Sequence, residues 1–167
     1  MNKFAMLACS GAASLSLLSG VAQAGDDDRN SRPELVGAWR VVVTLRVDAP
    51  DCTIAPIVGV GVNPFRSLNT FHKGGTMSEF GTRAPPATRS SGHGVWKRTG
   101  YSTFDYRVLF DSFDANGLLT ATMDIRSGLE LALDGNTFDG VSRFVLTDIS
   151  GNARRFCATL KGARLSL

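Results

Sequence analysis

The strictest constraint in this chain is the alternation that runs from Tyr101 to Leu133. Phe104, Tyr106, Val108 and Phe110 share one parity, against Thr103, Asp105, Arg107 and Asp111 on the other. After Asp114-Ala115-Asn116-Gly117 the pattern resumes. Leu119, Ala121, Met123, Ile125, Leu129, Leu131 and Leu133 oppose Thr120, Thr122, Asp124, Arg126 and Glu130. Successive side chains of a strand point to opposite faces, so each run is a strand with one apolar and one wet face. The Asn-Gly step tolerates the positive φ of a tight turn, and the two runs make a β-hairpin.

The same alternation recurs on both sides. Leu35 to Val47 places Trp39, Val41, Val43, Leu45 and Val47 on one face and Arg40, Thr44 and Arg46 on the other, with Val42 the exception. Phe65 to His72 and Thr76 to Thr82 are strands around Lys73-Gly74-Gly75, but their parity is open: Ser67, Asn69 and Phe71 face inward, or Leu68, Thr70 and His72 do. Val95 to Thr99 leads into the central hairpin. After the Asp134-Gly135-Asn136 turn, Phe138, Ser142, Phe144 and Leu146 share a face; Phe156, Ala158 and Leu160 do so in the last run. Two long connections stand out: Asp48 to Pro64, with a short strand expected around Ile57 to Val62, and Arg83 to Gly94. No helix is expected after residue 24. About eight strands in sequential antiparallel order must bury one apolar face. Closing on themselves also removes exposed sheet edges. The expected fold is an all-β, eight-stranded antiparallel up-and-down barrel, with a two-sheet sandwich as the alternative. A barrel of that size is filled by its own side chains or holds one small ligand.

The N-terminus reads as an export signal. Lys3 precedes an uncharged, small and apolar run from Phe4 to Val21, and Ala22-Gln23-Ala24 has the small-x-small form of a cleavage site. The expected organisation is a signal peptide over 1–24, a disordered polar leader over 25–34 and one barrel domain over 35–167, in the periplasm or secreted. Cleavage leaves 167 − 24 = 143 residues, enough for one core, with 17 basic against 15 acidic residues once Lys3 is gone. That near-neutral balance with scattered signs gives no nucleic-acid footprint. With Cys9 removed, Cys52 and Cys157 remain, an even pair in an exported chain, and are expected to form a disulfide. No second long apolar run follows, so no transmembrane segment is expected in the mature chain.

Leu35-Val36-Gly37-Ala38-Trp39 resembles the Gly-x-Trp opening of the lipocalins and the wider calycin group. Gly92-His93-Gly94-Val95-Trp96-Lys97-Arg98-Thr99-Gly100, followed by an aromatic-rich strand, resembles small secreted bacterial lipocalin-like proteins. The resemblance implies an eight-stranded barrel whose bottom is closed by Trp39, with a basic residue near the chain end packed over it: Arg164, or else Arg154 or Arg155. The helix that lipocalins place before the last strand is missing, which leaves calycin-like as the apt label. Haem, which nitrobindin-like members of the group carry, is not expected: Arg40-Val41 follows Gly-x-Trp in place of a second glycine, and no histidine lies near the C-terminus. No cofactor or metal is expected.

Chemistry-bearing residues are few. His72 and His93 are the only histidines, and two histidines without a carboxylate at short spacing make no metal signature. His93 sits between glycines in a connection able to fold over a barrel mouth, where a partner would make it a general base. Glu79, if it faces inward with Met77, is a buried carboxylate among apolar groups, raised in pKa and able to act as acid, base or ligand acceptor. Arg98 shares parity with Trp96. Ser90-Ser91-Gly92-His93-Gly94 lacks the form and context of a nucleophile elbow. The residues expected to meet a ligand are Trp39, Val43, Trp96, Phe104, Tyr106, Phe110, Met123 and Phe144, with Phe156 on the same inward face.

The first expectation is therefore an exported barrel that binds a small hydrophobic molecule in its lumen. A cyclase or isomerase resembling allene oxide cyclase is the second, with Glu79, His93 or Arg98 converging on the lumen as its mark. A structural or partner-binding module with a filled core is the third.

Overall fold

The alternating runs pair in sequence order. The computed structural model describes residues 32–59 and 63–167. β1 (Gly37–Val47), β2 (Phe65–Phe71), β3 (Thr76–Gly81), β4 (Gly92–Arg98), β5 (Thr103–Phe113), β6 (Leu119–Leu131), β7 (Thr137–Asp148) and β8 (Ala153–Arg164) form a closed antiparallel barrel. Closure comes from β1 and β8, paired from Trp39↔Arg164 to Val47↔Phe156. The barrel is the expected one, and the sandwich alternative is set aside. A single 3-10 turn, Pro86–Thr88, is the one helical element among the described residues. The segment read as a signal peptide, residues 1–24, lies outside the described residues, as do residues 25–31 of the leader and residues 60–62. Of the short strand expected around Ile57 to Val62, Ile57 makes an isolated bridge with Arg46, and residues 60–62 lie outside the described residues.

Turn chemistry fixes the register of the long hairpins. Asp114 Oδ1 accepts the backbone N–H of Asn116 at 2.8 Å and of Leu118 at 2.9 Å. Asp148 Oδ1 does the same for Ser150 and Asn152, each at 2.9 Å. Gly117 and Gly151 take φ of +81° and +86°, the left-handed position of a three-residue hairpin loop. These two turns, the β1–β2 connection and the β3–β4 connection all lie at one end of the barrel. The other end holds the remaining turns and the segment that leads into β1.

That second end is sealed. Trp39 is 0 % exposed, its indole Nε1 donates to Leu35 O at 2.9 Å, and its ring lies 5.0 Å from that of Phe138. The Arg164 guanidinium sits 4.4 Å above the Trp39 ring and donates to the carbonyls of Gly135 and Val36, each at 2.7 Å, and of Glu34. Of the three basic residues weighed from the sequence, Arg164 therefore takes this place. A Cβ at Gly37 would lie 2.6 Å from Arg164 Nη1, so the glycine of Gly-x-Trp leaves room for the cation. A second arginine repeats the device: Arg98 lies 4.4 Å above Phe104 and donates to Pro33 O at 2.7 Å. Pro33 and Glu34, assigned to the leader by sequence, are thereby held against the barrel.

The β1–β2 connection folds onto the outside wall. Cys157 points outward between the lumen residues Phe156 and Ala158, and its disulfide to Cys52, with Cα atoms 5.9 Å apart, fixes the connection there. Arg143 on β7 donates to Asp48 Oδ1 at 2.9 Å and to the carbonyls of Ala49 and Pro50 at 2.5 and 2.7 Å. Residues 48–52 of the long connection are thus tied to the outer wall.

Candidate functional site: a cavity with a polar base

Between the mouth and the sealed end the barrel encloses a cavity of about 340 Å³. Its walls are mainly apolar: Val43, Phe110, Met123, Phe144 and Phe156 all line it. Polar side chains enter from β2, β3, β5 and β7 as Ser67, Asn69, Glu79, Tyr106 and Ser142. The open parity of β2 and β3 is settled by this. Ser67, Asn69 and Phe71 face inward with Met77 and Glu79, whereas Leu68 is 51 % exposed.

Glu79 is buried, but it does not sit among apolar groups alone. Arg89, from the connection between β3 and β4, places Nη2 2.6 Å from Glu79 Oε2, with the two side chains only 4 % and 9 % exposed. Arg89 Nη1 and Nε donate further to Gly81 O at 3.3 Å and Ser90 O at 3.1 Å. Its guanidinium lies 3.7 Å from the centre of the Phe110 ring. The connection is itself stitched to β5, through the Arg89↔Ser112 bridge and the Ser90–Asp111 backbone bond at 2.9 Å. Space for the carboxylate comes from Gly92, the residue opposite Glu79 on β4: a Cβ there would lie 2.7 Å from Glu79 Oε2.

A chain of neutral groups continues from the ion pair. Ser67 Oγ lies 2.8 Å from Glu79 Oε1 and 2.8 Å from Asn69 Oδ1. A hydroxyl carries one proton, so it serves one of these acceptors at a time. Ser127 Oγ and Ser142 Oγ are 2.5 Å apart. Burial pushes the Tyr106 phenol up in pKa, against the hydrogen bonds of Ser127, Ser142 and Asn69 that pull it down. Tyr106 therefore stays a neutral donor at ordinary pH.

The residues singled out from sequence fall into two groups. Val43, Tyr106, Phe110, Met123 and Phe144 line the cavity. Trp39, Trp96 and Phe104 pack instead toward the sealed end, where the Trp96 ring lies 5.9 Å from Phe104 and 6.1 Å from Phe71. They face inward as expected, but they pack on other rings, Trp39 on Phe138 and Trp96 on Phe104 and Phe71, rather than on the cavity. The three candidates for acid–base work do not converge. Glu79 reaches the cavity; His93 is exposed on the outer face of β4, opposite Ser78 and Leu109, because Gly92 takes the inward position. Arg98 belongs to the sealed end. Among the described residues no cluster of three or more His, Cys, Asp or Glu side chains can hold a metal, and no helix is long and apolar enough to cross a membrane.

Arg89 escaped the sequence reading; Ser67 and Asn69 belong to one of its two open facings of β2 but carry no site role there. Arg89 sits in an irregular segment with no periodicity to orient it. No protein-family model matches the chain, and no curated protein is similar to it.

Proposed function

We propose that this protein is an exported, calycin-like barrel that binds a small hydrophobic molecule in its lumen. The observation that carries the proposal is a roughly 340 Å³ cavity between a sealed floor and a mouth, walled by apolar side chains and supplied with a few polar ones. Ordinary small-molecule sites span ~300–1,000 Å³ and have this composition. The affinity comes from apolar ligand surface removed from water, at about 25 cal/mol per Å². Export is supported by the signal-like residues 1–24 and by the Cys52–Cys157 disulfide, which persists in oxidising compartments. The placement of Arg164 over Trp39 supports the calycin resemblance.

The test is native mass spectrometry of protein taken from its own compartment, followed by organic extraction. A reproducible small molecule released on unfolding is expected. A protein that carries nothing, takes up no hydrophobic fluorescent probe and shows no ligand-dependent rise in Tm defeats the proposal, because binding to the folded state alone must stabilise it.

A further inference from the structure

The apolar walls of the lumen select hydrophobic surface; its polar groups select the head group. Glu79 and Arg89 neutralise each other at 2.6 Å, and both carboxylate oxygens and three guanidinium N–H groups already have protein partners. A ligand carboxylate brought alongside would meet Glu79, and an ammonium would meet Arg89. Either would also give up its own hydration. The neutral groups are differently placed. Ser67 has a single proton for two acceptors, each 2.8 Å away. The Asn69 amide, which both donates and accepts, lines the lumen beside it. Tyr106 and the Ser127–Ser142 pair supply hydroxyls deeper in the barrel. A ligand group that both donates and accepts, without charge, matches this set.

On the footing that the lumen takes up a small molecule, we infer that its ligand class is the neutral alcohol. The hydroxyl lies at Asn69 and Tyr106, and the compact apolar body lies against Val43, Met123 and Phe144. A fatty carboxylate would instead have to leave its head at the mouth, beside the exposed Arg83.

The test uses displacement of the neutral probe N-phenyl-1-naphthylamine by four molecules of matched chain: decan-1-ol, 1-methoxydecane, decanoate and decylammonium. Decan-1-ol is expected to bind about tenfold tighter than the ether, the worth of roughly one added hydrogen bond. Both ions are expected to bind more weakly than the alcohol. In Tyr106→Phe, and separately in Asn69→Ala, the alcohol–ether gap shrinks to about threefold or less while ether binding holds. An ether that matches the alcohol overturns the inference while leaving a purely apolar carrier intact. So does decanoate binding tightest, with that affinity lost in Arg83→Ala. Failure of the probe and of all four molecules to bind defeats the carrier proposal itself.

Discussion

The two ends of the barrel use the same device for opposite purposes. At each end an arginine lies over an aromatic ring: Arg164 over Trp39 and Arg98 over Phe104 at the sealed end, Arg89 over Phe110 at the mouth. The sealed-end arginines spend their N–H groups mainly on backbone carbonyls, of Gly135, Val36, Pro33 and Tyr101 among others. They finish off a solid stack of rings. Burial lowers the pKa of Arg164, with the charge of Glu34 opposing, which is the electrostatic cost of using a cation as a plug. The mouth arginine instead meets a carboxylate inside the lumen and leaves open space beside it. One end is packed for stability; the other is arranged around a vacancy.

The largest expected effect tests the packed end. Trp39→Ala should cost about 4 kcal/mol, as loss of a fully buried aromatic does. Phe156→Ala, whose ring borders the cavity and already lacks neighbours on one side, should cost less than half of that. Urea unfolding with unchanged m-values measures both. Equal costs would mean that the lumen is packed as tightly as the floor, and the contrast would fail.

The ion pair comes next. Glu79→Ala leaves Arg89 buried without its counter-charge and should cost about 3 kcal/mol. The double replacement Glu79→Leu with Arg89→Met should recover most of that loss, since apolar groups of similar volume often substitute for a buried pair. A double variant as unstable as the single one would show that Arg89 is held by its carbonyl and ring contacts rather than by Glu79.

The smallest effect is a pH dependence. Because burial raises the Tyr106 pKa in the folded protein, the folded state holds that proton more tightly than the unfolded chain does. Its contribution is complete below the ordinary phenol pKa of ~10 and is lost as pH rises above that value toward the folded one. Tyr106→Phe should flatten the alkaline fall in stability relative to wild type. An unchanged alkaline profile would place the loss elsewhere.

The barrel was legible in the sequence because most of its strands alternate apolar and polar residues, the Tyr101–Leu133 hairpin above all, with few breaks such as Val42 and Ser142. Legibility failed where the cavity begins. In β2 and β3 the inward residues include Ser67, Asn69 and Glu79, while Leu68 faces out, so hydrophobic parity points the wrong way. That inversion follows from lining a cavity with hydrogen-bonding groups. Trp39 and Phe104 erred in the other direction: their inward parity was right, but parity does not tell how far along the barrel axis the packing stops. Arg89 offered no signal, since nothing in the sequence says that an irregular segment ten residues after Glu79 turns back to meet it.

The disulfide has a kinetic consequence. A meander closes every pair of neighbouring strands locally except one: the seam between β1 and β8, whose partners come from opposite ends of the chain. Bringing them together is the slowest search in such a topology, because loop-closure entropy is lost before any ladder forms. Cys52 follows β1 directly and Cys157 lies within β8, so their bond, spanning 105 residues, runs across that seam. An oxidised chain that unfolds keeps the two seam strands as near neighbours. Each refolding attempt then begins with the longest-range contact already made.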